Sequence, residues 1–304
     1  MYSVCISILN YNNGLKTVKC IQSILTQTVG FWKIVIIDNK STDDSVQIIS
    51  SFLSRSGVDF SIIDYEREIA ESVKSLSDVI IIRSVRNGGY SYGNNIGIKY
   101  ARSSSQFSHI LIINNDLVLN RDFLEIMIKK HESFGSGSNS SKIALGATEY
   151  DIKGNITHSG FHHLHLLSAF TLKKPVFPSF KYIAGSCIFL GIEAPLMDES
   201  FFLYFDDIQY SIILKENNWL LESCENASFI HEIGYKNQQE GSICRIIFVS
   251  MKNFYLKNYP LLYPLVVIFR ILLYLAMGRF KIALILLKVS AGIHSTGINQ
   301  YVKK

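Results

Sequence analysis

The stretch Lys33-Ile34-Val35-Ile36-Ile37-Asp38-Asn39-Lys40-Ser41-Thr42-Asp43-Asp44 decides the fold. Four consecutive β-branched residues suit a buried strand, and the abrupt change to short polar side chains marks where that strand leaves the core. Ser41, Thr42 or Asp43 can then cap a helix that carries Val46, Ile49 and Leu53 at helical spacing. The same unit occurs on either side. Tyr2 to Leu9 is a short apolar strand ending at the polar turn Asn10 to Gly14, after which Leu15, Val18, Ile21, Ile24 and Leu25 follow a helical period. Val79 to Ile82 gives a third strand, Asn94 to Tyr100 a helix, and His109 to Ile113 a fourth strand that runs into Asn114-Asn115-Asp116. Such alternation predicts an α/β fold with a mostly parallel, Rossmann-like sheet flanked by helices. In such sheets ligands bind beyond the carboxyl ends of the strands, so these polar loops should converge on one site.

The remainder of the chain is less periodic. Glu132 to Lys142, rich in Ser and Gly, reads as a surface loop, and residues 142–180 give no clear pattern. An ordered block from Tyr182 to Leu190 is followed by the aromatic run Phe201 to Phe205, the pair Asp206-Asp207 and a helix from Ile208 to Asn217. At 304 residues the chain can bury roughly three quarters of its unfolded surface. Its 48% hydrophobic and 18% charged content excludes disorder, collagen and coiled coil. Five cysteines without a C-x-x-C pair suggest neither a disulfide framework nor a cysteine zinc site, and read as buried thiols of a reducing cytosol. The N-terminus lacks the pattern of a signal peptide.

Charge is unevenly spread. After Glu240 no acidic residue occurs while nine Lys and Arg do, which leaves the first 240 residues at −4 out of a total of +5. That basic segment also holds the most apolar run, Leu261 to Met277, interrupted by Pro264 and Arg270. Arginine at the centre of a bilayer costs about 2.5–3.5 kcal/mol, so a spanning helix is disfavoured. Phe280, Ala283, Leu284 and Leu287 share one helical face and Lys281 and Lys288 another stripe, as in a helix lying on an anionic membrane surface; a helical hairpin covering the sheet is the alternative. No nucleic-acid motif is present.

Four groups carry chemistry. In Asn114-Asn115-Asp116 an amide and a carboxylate two positions apart lie on one side of an extended segment, able to ligate a hard divalent cation or simply to close an Asx turn. Arg86 to Gly97 combines glycines, an Arg and a helix start, which suits phosphate binding or an ordinary glycine turn. Asp206-Asp207, behind bulky apolar groups, is a candidate proton acceptor or a helix cap. His231 is a candidate ligand for Mn²⁺ or phosphate. His158, His162, His163 and His165 lack zinc-site spacing and read as a solvated loop.

The order of these motifs resembles the family 2 glycosyltransferases of the GT-A fold, and within them the bacterial rhamnosyltransferase-like branch. The residues that carry it are Asn10-Tyr11-Asn12, Ile36-Ile37-Asp38-Asn39-x-Ser41-Thr42-Asp43, Asn87-Gly88-Gly89 with Asn94-Asn95-x-Gly97, Asn114-Asn115-Asp116, Gly185-Ser186-Cys187, Asp198-Glu199-x-Phe201-Phe202-x-Tyr204-x-Asp206-Asp207, and His231. The resemblance spans about residues 2 to 260. It implies a GT-A catalytic domain over 1–240 with a basic, apolar, membrane-associating helical extension over 241–304. It further implies inverting transfer from a nucleotide-diphosphate-sugar, of dTDP-rhamnose or UDP-hexose type, to a lipid-linked saccharide in O-antigen or capsule synthesis, at the inner face of the cell membrane. By the same resemblance Asn10, Tyr11, Asp38, Asn87, Gly88, Asn95, Asn115 and Asp116 bind the donor. Asp116, Asn114 and His231 hold Mg²⁺ or Mn²⁺, Asp207 is the base, and Gly185 and Asp206 face the acceptor. The family writes its acidic motif Glu-Asp-x-Asp; here it reads Asp206-Asp207-Ile208-Gln209, so one carboxylate is lost. That loss keeps a degenerate scaffold in view as an alternative. A sugar nucleotidylyltransferase would want a basic, Gly-rich first loop, and Asn10 to Gly14 has no Lys or Arg.

Overall fold

A computed structural model describes residues 2–28, 31–65, 77–135, 142–232 and 240–293. Strands β1 (Ser3–Asn10), β2 (Phe31–Asp38), β3 (Phe60–Asp64), β4 (Val79–Arg83) and β5 (His109–Asn114) run parallel in the order β3-β4-β2-β1-β5. The pleat divides their side chains between two cores. On one face Ile6, Ile8, Ile34 and Ile36 meet Ile21 and Ile24 of α1 (Gly14–Leu25), Ile49 and Leu53 of α2 (Ser45–Arg55) and Met127 of α4 (Phe123–Glu132). On the other face Cys5, Val35, Ile37, Ile110 and Ile112 meet Ile96, Ile98 and Tyr100 of α3 (Gly89–Ser103). Burial on both faces is why these strands read as unbroken apolar runs.

Beyond β5 the sheet becomes mixed. β12 (Cys187–Gly191) pairs antiparallel with β5 and with β7 (Ile143–Tyr150). β7 runs parallel to β13 (Leu220–His231), β6 (Leu117–Leu119) closes the edge, and β8 (Ile156–Ser159) pairs with β7. A second, antiparallel sheet holds β9 (Phe161–His165), β10 (Phe170–Leu172) and β11 (Ser179–Ile183). Helix α5 (Asp206–Glu216) precedes β13; α6 (Glu240–Asn258), α7 (Tyr263–Ala276) and α8 (Phe280–Ser290) follow it. A third core joins Phe248 and Phe254 of α6, Val266 of α7 and Leu286 of α8 to Leu164, Tyr182, Phe201, Phe205 and Ile208.

Several expectations need correction. Strand β3 precedes the strand expected as third; it sits at the sheet edge and pairs only with β4, so its residues are half exposed and weakly patterned. Helix α3 begins at Gly89 rather than Asn94, and α5 at Asp206 rather than Ile208. None of the three capping candidates is the N-cap of α2, which is Asp44 and makes no side-chain cap bond; Asp43 accepts the Ser45 N–H and hydroxyl. The four histidines are not in a solvated loop: His158 lies in β8, at 6% exposure, and His162, His163 and His165 lie in β9. His158 is held there by Glu149, a buried acid in β7 that requires donors. The loop expected from Glu132 to Lys142 falls largely outside the described residues. Among the described residues no helix is long and apolar enough to cross a membrane. Arg270 is buried inside the protein: its guanidinium donates to the Ser168 and Ala169 carbonyls and to the Tyr274 hydroxyl.

Candidate active site

The register of the parallel strands aligns Asn10 with Asp38, and Leu9 with Asn114, at the carboxyl edge of the sheet. Here short polar side chains cross-link the loops. The Asn10 amide donates to Asp38 Oδ1 (2.8 Å) and the Ser41 hydroxyl, and its carbonyl oxygen accepts from Thr17 and from the Asn115 amide. Asp38 also accepts the Ser41 N–H and hydroxyl. Asn39, on the next loop, donates to Asn87 Oδ1 and accepts from the Gly88 N–H. Tyr11 projects outward, 42% exposed. Asn95 points elsewhere: its amide is committed to the Met197 backbone and Glu199, so it braces α3 against residues 197–199. Gly89 is required by geometry, with φ of +83° and a Cβ that would meet the Phe202 carbonyl at 2.1 Å.

Asp116 follows β5 and meets two cations. Lys16 of α1 approaches its Oδ2 at 3.3 Å, and His231, the last residue of β13, approaches its Oδ1 at 3.0 Å through Nε2. The other ring nitrogen of His231 lies 2.9 Å from Glu149 Oε2. That oxygen also receives Ser186 Oγ and His158 Nε2, while Thr157 donates to Oε1. The Gly160 N–H donates to His158 Nδ1, which leaves the proton of that ring on Nε2, facing Glu149. Burial opposes charge on His231, but its hydrogen bonds and Coulombic attraction to Asp116 and Glu149 outweigh burial and push its pKa up to about 9. Burial likewise works against both carboxylates, and the histidines hold Asp116 and Glu149 below their usual range all the same. A doubly hydrogen-bonded imidazolium thus joins two acids.

Asp206 and Asp207 open α5 after Tyr204 and Phe205, two bulky residues held at φ of +67° and +60°. Consecutive left-handed positions of this kind cost of order 1–3 kcal/mol each and characterise functional loops. Asp207 Oδ2 accepts the Gly185 N–H at 3.2 Å, and a Cβ at Gly185 would come within 3.0 Å of the Asp207 Cβ, so this approach needs glycine. Burial raises both carboxyl groups above the usual range; the neighbouring negative charge of Asp207 raises Asp206 further, and backbone N–H groups of Gly185 and Ile208 restrain Asp207. Gln209, where the family places an acid, is buried and accepts from the Asn258 amide at 2.7 Å, tying α5 to α6.

Asn114, Glu149, Gly185, Asp206, Asp207 and His231 line one cleft of about 500 Å³, together with Tyr182, Tyr204 and Arg270. Asn10, Tyr11, Asp38, Asn87, Gly88, Asn95 and Asn115 do not line it, and Asp116 reaches it only through its bond to His231. Sequence reading missed Glu149, Lys16 and Ser186 as members of the site. A lone acid within the apolar run Ile143 to Tyr150, followed by four histidines, was the available signal for the first. The implied Mg²⁺ or Mn²⁺ can be tested against these donors. Among the described residues no group of three His, Cys, Asp or Glu side chains is disposed around one point. Asp116 and His231 nevertheless offer an oxygen and an imidazole nitrogen 3.0 Å apart, with Asn114 in the same cleft. Divalent ions at nucleotide sites commonly take one or two protein donors and complete their shell with phosphate oxygens and water, so the donor set fits on those terms.

The family described as Glycosyl transferase family 2 matches residues 3–188. A "Low-salt glycan biosynthesis hexosyltransferase Agl10" of Haloferax volcanii is 27% identical over 207 residues, which are 65% of this chain and 66% of that relative's length. Among solved structures, GalNAc-T7 with UDP, GalNAc and Mn²⁺ superposes with a TM-score of 0.58 at 13% identity, covering 83% of this chain and 48% of that one. The mannosyltransferase PcManGT of Pyrobaculum calidifontis, in complex with GDP-Man and Mn²⁺, gives 0.55 at 10% identity, covering 96% and 76%. At these identities the structures speak to the fold.

Proposed function

This chain belongs to glycosyl transferase family 2 and is a glycosyltransferase; from that premise we propose that it moves a sugar from a nucleoside-diphosphate-sugar to a hydroxyl of a lipid-linked glycan with inversion. The observation that carries this reading is the sharing of one cleft by Asp207 and His231. Asp207, raised in pKa by burial yet held in its ionised form by backbone N–H donors, accepts the proton of the attacking hydroxyl. The new bond joins that oxygen to the anomeric carbon as the bond to the diphosphate oxygen breaks, so a single displacement inverts the centre. Asn10, Asp38, Asn87 and Asn115 brace the loops that receive the nucleotide, and Tyr11 offers an aromatic face to the base. Asp116 and His231, with Asn114, would hold a divalent cation, which neutralises charge on the departing diphosphate. The nucleotide-sugar GDP-Man named with one similar fold, and the UDP and GalNAc named with another, support this donor class. Replacing Asp207 by Asn should lower transfer about 10²–10⁴-fold and leave nucleotide affinity in the presence of Mn²⁺ intact. Full transfer by that variant would remove Asp207 as base.

Attachment to the inner face of a membrane is part of the same proposal. Helices α7 and α8 bury one face in the third core and present Leu265, Ile268, Phe269, Leu272, Phe280, Leu284 and Leu287 outward, beside Lys281 and Lys288. An exposed apolar face flanked by cations suits an anionic interface. Because the inner face completes the core, the clean test leaves the helices in place: Leu265, Phe269 and Leu272 all changed to Gln should abolish co-sedimentation with phosphatidylglycerol vesicles. Undiminished sedimentation would mean that this face is not the anchor.

A further inference from the structure

Arg270 lines the cleft, and the transfer chemistry gives it no role. It sits on the inner face of α7, 7% exposed, while the apolar residues that the helix shows outward lie on the opposite face. Its bonds go to two backbone carbonyls, those of Ser168 and Ala169, and to the Tyr274 hydroxyl. All three partners are neutral. Its guanidinium also lies over the Phe170 ring at 4.0 Å. Among the described residues no carboxylate comes within ion-pair distance of it, and the sequence beyond Glu240 has none to offer. Each terminal nitrogen carries two hydrogens and makes a single bond, so one N–H on each is left without a partner.

A buried cation without a counter-ion is costly, and neutral carbonyls compensate it only in part. The turn that Arg270 ties down explains its bonds to Ser168 and Ala169, but not the need for a charge. We propose that Arg270 is the anion-binding subsite of the acceptor side of the cleft, and that the acceptor carries a phosphate ester there while its hydroxyl meets Asp207. The inference rests on the transferase reading for that placement. A guanidinium fork matches phosphate oxygens with paired N–H groups, and burial strengthens such a contact. Phe170, Thr171 and Tyr182 line the cleft beside it, with the Thr171 and Tyr182 hydroxyls bonded to each other. A phosphate that links a saccharide to a lipid and a phosphate borne by the saccharide itself share this chemistry.

The test is calorimetric binding to the full chain of octyl phosphate, glucose 1-phosphate, inorganic phosphate and, as the neutral control, octyl β-glucoside. Octyl phosphate should bind the wild type and lose at least about tenfold in affinity in Arg270→Gln, with Arg270→Lys intermediate and the exposed, remote Lys153→Gln unchanged. Tighter binding of octyl phosphate than of glucose 1-phosphate identifies the lipid-linked source, and the reverse order the phosphosaccharide. Equal affinity of wild type and Arg270→Gln, or an equal loss in Lys153→Gln, overturns the subsite. Should Arg270→Gln fail to fold, octyl β-glucoside binding the wild type as well as octyl phosphate would also overturn it. Nucleotide binding in the presence of Mn²⁺, measured on the same samples, reads the transferase assignment separately: its failure defeats that assignment, whereas its success beside a failed phosphate arm defeats only the subsite.

Discussion

Two polar rows stand at the carboxyl edge of the same sheet and satisfy burial by different means. Asn10, Asp38, Asn39, Asn87 and Asn115 are cross-linked mostly through amides and hydroxyls, so the donor-side loops are held largely by neutral groups. Asp116, His231, Glu149 and His158 form a chain in which acids alternate with imidazoles. The first arrangement yields rigidity that is indifferent to pH. The second stores charge beside a cleft, where a cation or a phosphate can exchange with a proton. Building a site from both lets the nucleotide loops stay fixed while the charged wall responds to what binds.

The largest expected effect sharpens this contrast through stability. In the metal-free protein His231 keeps its proton up to about pH 9, whereas the unfolded imidazole releases it near 6.5. The folded state therefore binds the extra proton between these values. The stabilisation is complete below pH 6.5, decays as pH rises and is gone above 9; it amounts to roughly 3 kcal/mol. Urea titrations across this window should show the decline in the wild type and not in His231→Gln. A flat profile in the wild type would break the comparison at its centre.

Next in size is the effect of Glu149→Gln. Glu149 Oε2 accepts from His231, His158 and Ser186 together, so an amide that turns its NH₂ toward them confronts donors with a donor. His231 then loses the partner that orients its Nε2 toward Asp116. Mn²⁺ affinity should fall by about 10–100-fold, as for carboxylates that orient metal-binding histidines. Titration calorimetry reads this directly, and unchanged affinity would show that Glu149 serves only the fold. The smallest effect belongs to the neutral row. Asn10→Ala strands polar partners on Asp38, Thr17 and Asn115 and should cost about 1–3 kcal/mol of stability, with no pH dependence of its own. A pH-dependent loss in that variant would mean that the donor row, too, is held by charge.

Legibility followed the same division. The parallel strands could be read because Ile34 to Ile37 are buried on both faces, which forces an apolar run whatever the neighbours are. The stretch 142–180 could not, since β8 to β11 are short, antiparallel and half-buried, and some of their polar positions, His158, His162 and Thr171, face the cleft. Asp207 was legible from its aromatic surroundings and from the resemblance. Glu149 was not, because a single acid in a strand declares its partners only once β8 and β13 are laid beside it. Gln209 read as the loss of a family carboxylate; in place, it is a buried contact to Asn258 that contributes no charge.

What the sequence by itself determined was periodic and local: alternating strand and helix, the polar loops at the strand ends, the aromatic approach to Asp206 and Asp207, and a basic, apolar C-terminal segment. Those features depend on hydrophobicity and backbone preference, which act over a few residues. What only the tertiary structure decided was which charges meet. Lys16 and Asp116, His231 and Glu149, and Arg270 and the turn at Ser168 are joined across long stretches of chain. The strength of such contacts depends on burial and on distances of a few ångströms, quantities that exist only after the sheet has assembled.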